Sequence, residues 1–125
     1  MPLSRDELLT RLRALEGVTD AVLVGPDGVR GSPGEAGPLA AASEELATHL
    51  TSDRVLAELL GAERPAQTLL EFSAKTTLLA QTTDLEGETV CAVLLFSAGD
   101  LNRVRFGLRR LLPELADARP LRPRP

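Results

Sequence analysis

The sequence predicts an α+β sandwich: helices on both faces of one sheet, in the order helix, strand, strand, helix, three strands, helix. Three observations carry this reading. Apolar residues recur at helical spacing in three segments, at 5–15, at 39–61 and from Asp100 onward. Short apolar runs bounded by turn residues fill the intervals between them. Val90 to Phe96 is apolar on both faces of its pleat, which requires a cover on each side of the sheet.

The opening Leu3-Ser4-Arg5-Asp6-Glu7-Leu8 is a helix start. Ser4 is placed to cap, Glu7 to reach back to the Ser4 amide, and Leu3 and Leu8 to staple the entry. Leu8, Leu12 and Leu15 form the apolar stripe, and Gly17 follows where a helix ends in a left-handed residue. Ala21 to Val24 reads as a strand, Pro26-Asp27-Gly28 as a hairpin turn, and 29–32 as a short returning strand.

Five glycines at every third position, in GPDGVRGSPGEAGPL (25–39), keep collagen spacing. Five triplets inside a compact chain cannot make a triple helix, which needs three chains and a glycine at every turn of its axis. A phosphate loop needs G-x-x-x-x-G-K-[ST], and no lysine is near. The stretch reads as a turn followed by a strand-to-helix linker.

From Leu39 to Gly61 the apolar residues occupy two faces: Leu39, Leu46, Leu50, Ala57 and Leu60 on one, Val55, Leu56 and Leu59 roughly opposite. Either the helix breaks at Thr51–Arg54 and restarts with Ser52 as its cap, or one helix is buried on two sides and so implies a partner surface. Strands follow at 66–73, 76–82 and 88–97, joined by Ala74-Lys75 and by the acidic turn 84–87. The last helix starts near Asp100, as a cap, with Leu101, Val104, Leu108, Leu111, Leu112 and Leu115 inward, and Pro113 should kink or end it. Residues 1–118 make one domain, and 119–125 read as an extended, disordered tail of proline and arginine.

The net charge of −4 hides an asymmetry: residues 1–100 carry seven basic and sixteen acidic groups, and the last 25 residues carry seven arginines against two carboxylates. An acidic body with three phenylalanines as its only aromatics argues against nucleic acid. No run approaches the roughly 18 apolar residues of a membrane span. A single cysteine excludes an internal disulfide, and the charged start is unlike a signal peptide, so the expectation is cytoplasmic.

Nothing in the sequence assembles an active site. His49 is the only histidine and lacks a nucleophile to serve, Cys91 sits in the most apolar strand, and no ligand cluster for a metal is visible. No catalytic residue, metal or cofactor is therefore expected. Phe106 is placed outward on the last helix with Arg103 and Arg110, either as a contact patch or under a neighbouring segment.

The stretches LEGVTDAVLVGPDGVRG (15–31) and TLLEFSAKTTLLAQT (68–82), with an apolar strand running into a leucine-rich helix, resemble the Roadblock (dynein light chain type) family over roughly residues 4–115. The resemblance implies a five-stranded antiparallel sheet with a long helix on one face and the terminal helices on the other. It further implies a non-enzymatic homodimer that, in the bacterial branch, binds or regulates a small Ras-like GTPase of the MglA type, as adaptor or as GTPase-activating partner. A sensor domain of the PAS or GAF kind is the alternative, and would need a polar or aromatic pocket. The surplus apolar face of the second helix and the open edge of the following strand suggest a dimer seam at Leu46, Leu50, Thr68, Leu70 and Phe72. Glu44, Glu45, His49 and Arg54 would then form the rim that meets a partner.

Overall fold

The computed structural model describes residues 4–25, 28–30, 37–62, 67–85 and 88–112. Its elements are α1 (Arg5–Arg13), β1 (Val18–Gly25), β2 (Gly28–Arg30), α2 (Pro38–Ala41), α3 (Ser43–Leu59), β3 (Gln67–Ser73), β4 (Thr76–Leu85), β5 (Glu88–Phe96) and α4 (Leu101–Leu111). Four strands of seven to ten residues, with the three-residue β2 at one edge, form one antiparallel sheet in the order β2-β1-β5-β4-β3.

The alternation of β5 divides its side chains between two cores. Val90, Ala92, Leu94 and Phe96 join Leu8, Leu9 and Leu12 of α1 and Val104 and Leu108 of α4. Val93, with the partly buried Cys91 and Leu95, joins Leu39 of α2 and Leu46 of α3 on the opposite face. The central strand is thus covered on both sides, by the terminal helices on one and the middle helices on the other.

Helix α1 begins with the expected capping box: the Glu7 amide donates to Ser4 Oγ (3.2 Å) and the Ser4 amide to Glu7 Oε1 (3.1 Å). The Ser4 amide, and after it the Ser4 hydroxyl, hold the Glu7 carboxyl below its ordinary pKa. Gly17 takes φ +95° after the helix, as the positive-φ exit requires. Gly107 of α4 faces Leu15, whose Cδ2 would lie 2.9 Å from any added Cβ, so the glycine lets α4 close on the end of α1.

Three boundaries differ from expectation. β4 runs on to Leu85, pairing Asp84 with Thr89 and Leu85 with Glu88, so Asp84 and Leu85 belong to the strand and not to the expected 84–87 turn. The middle helix is interrupted at Ala42 (φ −98°, ψ 21°), not at Thr51–Arg54, where α3 runs unbroken. Thr51, Ser52 and Arg54 are exposed, so their polarity leaves the helix no reason to break. The short α2 is instead tied to the sheet: Asp20 Oδ2 of β1 accepts the Leu39 amide at 3.0 Å, supplying the cap that Gly37 cannot. Asp100 is no side-chain cap for α4 either. Its carboxylate accepts from Arg103 Nη1 (3.1 Å), and a 3-10 turn, Ala98–Asp100, leads into the helix.

The Leu3 staple, the Pro26-Asp27 turn, the linker 31–36, Pro113, Leu115 and the tail 119–125 lie outside the described residues. No described helix is long and apolar enough to cross a membrane.

Candidate interaction surface

Helix α3 buries one stripe, and only over part of its length. Leu46 and Ala57 point into the fold at 7% and 8% exposure, and Leu50 packs half-buried between them. These positions are four, seven and eleven residues apart, the spacing of a single helical face. Val55, Leu56, Leu59 and Leu60 are exposed, the last two at 79% and 75%. A monomer has no reason to concentrate four large apolar side chains in solvent over its last two helical turns.

The strand that follows continues this pattern. β3 is the edge of the sheet, paired on one side with β4, so its other row of backbone groups faces outward. Thr68 and Leu70 are half-buried, Leu69 is exposed and Phe72 is 66% exposed. On the α1/α4 side, Arg105 donates through Nη2 to Gln67 Oε1 (2.8 Å), and Gln67 Nε2 donates to the buried Gln81 (3.0 Å). This chain of hydrogen bonds fixes the edge strand to α4.

The expected seam residues are therefore separated by the fold. Leu46 belongs to the protomer's own core, because the face of α3 that carries it is the one the sheet covers. Leu50 lies at the margin of that core, while Phe72 is free for contact. The apolar residues available on α3 and its C-terminal cap come later, at Val55, Leu56, Leu59 and Leu60.

The expected rim also divides. Glu44, Glu45 and His49 border one shallow depression with Thr48 and Ser52. His49 Nε2 lies 3.4 Å from Asp53 Oδ2 one turn on. Arg54 faces a different space, a cavity of about 390 Å³ between α3 and the sheet, with Leu50, Asp53, Thr82 and Cys91 also on its wall. No aromatic side chain lines that cavity. Burial pushes the Cys91 thiol up to about 12, helped by the nearby Asp53 charge, so the sulfur is protonated at neutral pH and a poor nucleophile. Among the described residues no group of three His, Cys, Asp or Glu could hold a metal ion.

Asp20 is the structural residue that sequence reading missed. It stands before an apolar run, where it reads as punctuation, and nothing local says that its carboxylate reaches the amides of both Ala21 (2.9 Å) and Leu39.

The architecture has counterparts among solved structures. Myxococcus xanthus MglB superposes with a TM-score of 0.65 at 22% identity, covering 90% of this chain and 91% of that one. A gliding protein MglB from Thermus thermophilus gives 0.64 at 21% identity, over 89% of this chain and 84% of that one. A Roadblock/LC7 domain from Streptomyces avermitilis gives 0.58 at 20% identity, over 92% and 97%. A comparison with protein-family models finds no match, and one with curated proteins finds none. At these identities the likeness speaks to architecture, and the chain has the Roadblock/LC7 fold.

Proposed function

We propose that this chain is a homodimeric Roadblock-type adaptor, itself non-enzymatic, that binds or regulates a small Ras-like GTPase of the MglA type. The carrying observation is the exposed apolar end of α3 beside an open, partly apolar edge strand. A second copy covering both would bury Val55, Leu56, Leu59, Leu60 and Phe72 and extend the sheet through β3. One solved neighbour, an "MglB with tetrameric arrangement" (TM-score 0.63, 22% identity, 89% of this chain and 84% of that one), lends support by showing that a chain of this fold assembles with copies of itself. The acidic rim of Glu44, Glu45 and His49 stays outside the apolar cluster, free to meet the GTPase. A sensor of the PAS or GAF kind fits less well, because the cavity beside α3 has no aromatic platform for a ligand.

The chain immobilised and challenged with native lysate, under a non-hydrolysable GTP analogue or under GDP, tests the partner. The expected result is retention of a small GTPase in one nucleotide state. Equal retention in both states, or retention only of proteins that bind no nucleotide, counts against the reading. The purified chain alone should not turn over GTP.

A further inference from the structure

The two outer layers of the sandwich carry opposite charge. α1, α4 and their adjoining turns hold seven arginines against Asp6, Glu7, Glu16 and Asp100. The α2/α3 layer holds Arg54 against Glu44, Glu45, Asp53 and Glu58. On the outer strip of α4, Arg103, Phe106, Arg109 and Arg110 are exposed. Arg103 is occupied by Asp100 at 3.1 Å and Glu16 at 3.8 Å. Among the described residues, Arg109 and Arg110 pair with no carboxylate; Arg110 instead stacks 5.7 Å from the Phe106 ring centroid, and that ring is 61% exposed.

The proposed seam bears directly on this strip. Identical edge strands that pair antiparallel about a two-fold axis continue one sheet into the next with the same face upward. Both α1/α4 layers then lie on one side of the joined sheet, and both Arg-Phe strips face the same way. A short acidic peptide would occupy one strip at a time. An extended anionic plane engages both, and two weak contacts on one rigid body multiply.

Resting on that dimer, we propose that the α1/α4 face docks on an anionic phospholipid bilayer. Arg109 and Arg110 meet headgroup phosphates while Phe106 enters the interfacial layer. The α3 rim is then turned away from the lipid, toward its partner.

Co-sedimentation of the full chain with vesicles tests this, using phosphatidylglycerol and phosphatidylcholine at about 3:7, or phosphatidylcholine alone, with light scattering in parallel. The chain should sediment with the anionic vesicles at about 0.1 M salt, stay free of the neutral ones, and be released at about 0.5 M. Arg109→Glu with Arg110→Glu should lower the bound fraction about tenfold or more. Phe106→Ser should lower it several-fold, and since all three residues are exposed, neither variant should change the fold or the mass. A wild-type dimer that ignores anionic vesicles overturns the lipid face and leaves the seam standing. A monomer that still needs Arg109 and Arg110 to bind them removes the seam and supports the lipid face. A charge-reversed variant that binds as well as wild type overturns it.

Discussion

The two faces of this sheet are covered to different standards. Beneath α1 and α4, Leu8, Leu12, Leu79, Leu94, Phe96 and Val104 have no measurable exposure. Beneath α3 the cover is thinner: Leu50 is half-buried, a cavity of about 390 Å³ sits beside it, and the helix ends in solvent-exposed leucines. One face is finished within the chain. The other has the form of a surface completed by something else.

The largest test of that contrast is a matched truncation. Leu94→Ala, in the closed core, should cost about 3–5 kcal/mol, because a sealed site collapses poorly around the void. Leu50→Ala, beside existing empty space, should cost less than about 2 kcal/mol. Urea denaturation reads both, and equal losses would mean the faces are equally packed.

Asp20→Ala probes how the thinner face is anchored. Losing the acceptor of the Leu39 and Ala21 amides should cost about 1–2 kcal/mol. Asp20→Asn keeps an acceptor and should recover part of it. Hydrogen exchange should show the loss first in α2, and protection unchanged there would remove Asp20 from the role of cap.

Cys91 reports on the same layer through pH. Its folded pKa of about 12 lies above the ordinary 9.0, so above pH 9 the unfolded chain releases a proton that the folded chain keeps. The Cys91 contribution to stability is flat below pH 9 and falls between about pH 9 and 12, by at most about 1.4 kcal/mol per pH unit. Cys91→Val should flatten that alkaline slope. A slope identical in the variant would assign it to other groups.

The smallest expected effect lies at the closed face's own entry. Ser4→Ala removes one half of the capping box and should cost about 1 kcal/mol, with fraying confined to the first turn of α1.

The contrast explains what could be read in advance. Periodicity exposed the terminal helices, since Leu8, Leu12, Val104 and Leu108 each lie on a single apolar stripe. The two-faced apolar pattern of α3 signalled a surface buried twice, but it could not say which face the sheet takes. Leu46, expected at the seam, belongs to the core, and Val55, Leu56 and Leu59, the opposite set, are the exposed ones. Leu60 shares the inward stripe and is exposed all the same, because it lies a turn beyond Ala57, the last residue which that stripe buries. The Ala42 break had no local marker, and the tie that anchors α2 joins Asp20 and Leu39, nineteen residues apart. Arg54 is exposed, as its polarity implies, but borders the cavity rather than the depression shared by Glu44, Glu45 and His49.

Light scattering on the purified chain is the most direct measurement of whether a second copy completes the open face. Wild type at tens of micromolar should have twice the 13.3 kDa chain mass. Leu59→Asp with Leu60→Asp should have the single-chain mass, with unchanged far-UV circular dichroism, since these side chains are 79% and 75% exposed in the protomer and support none of its core. A wild-type chain that stays at 13.3 kDa, or a doubly substituted chain that remains a dimer, would contradict a seam at the end of α3.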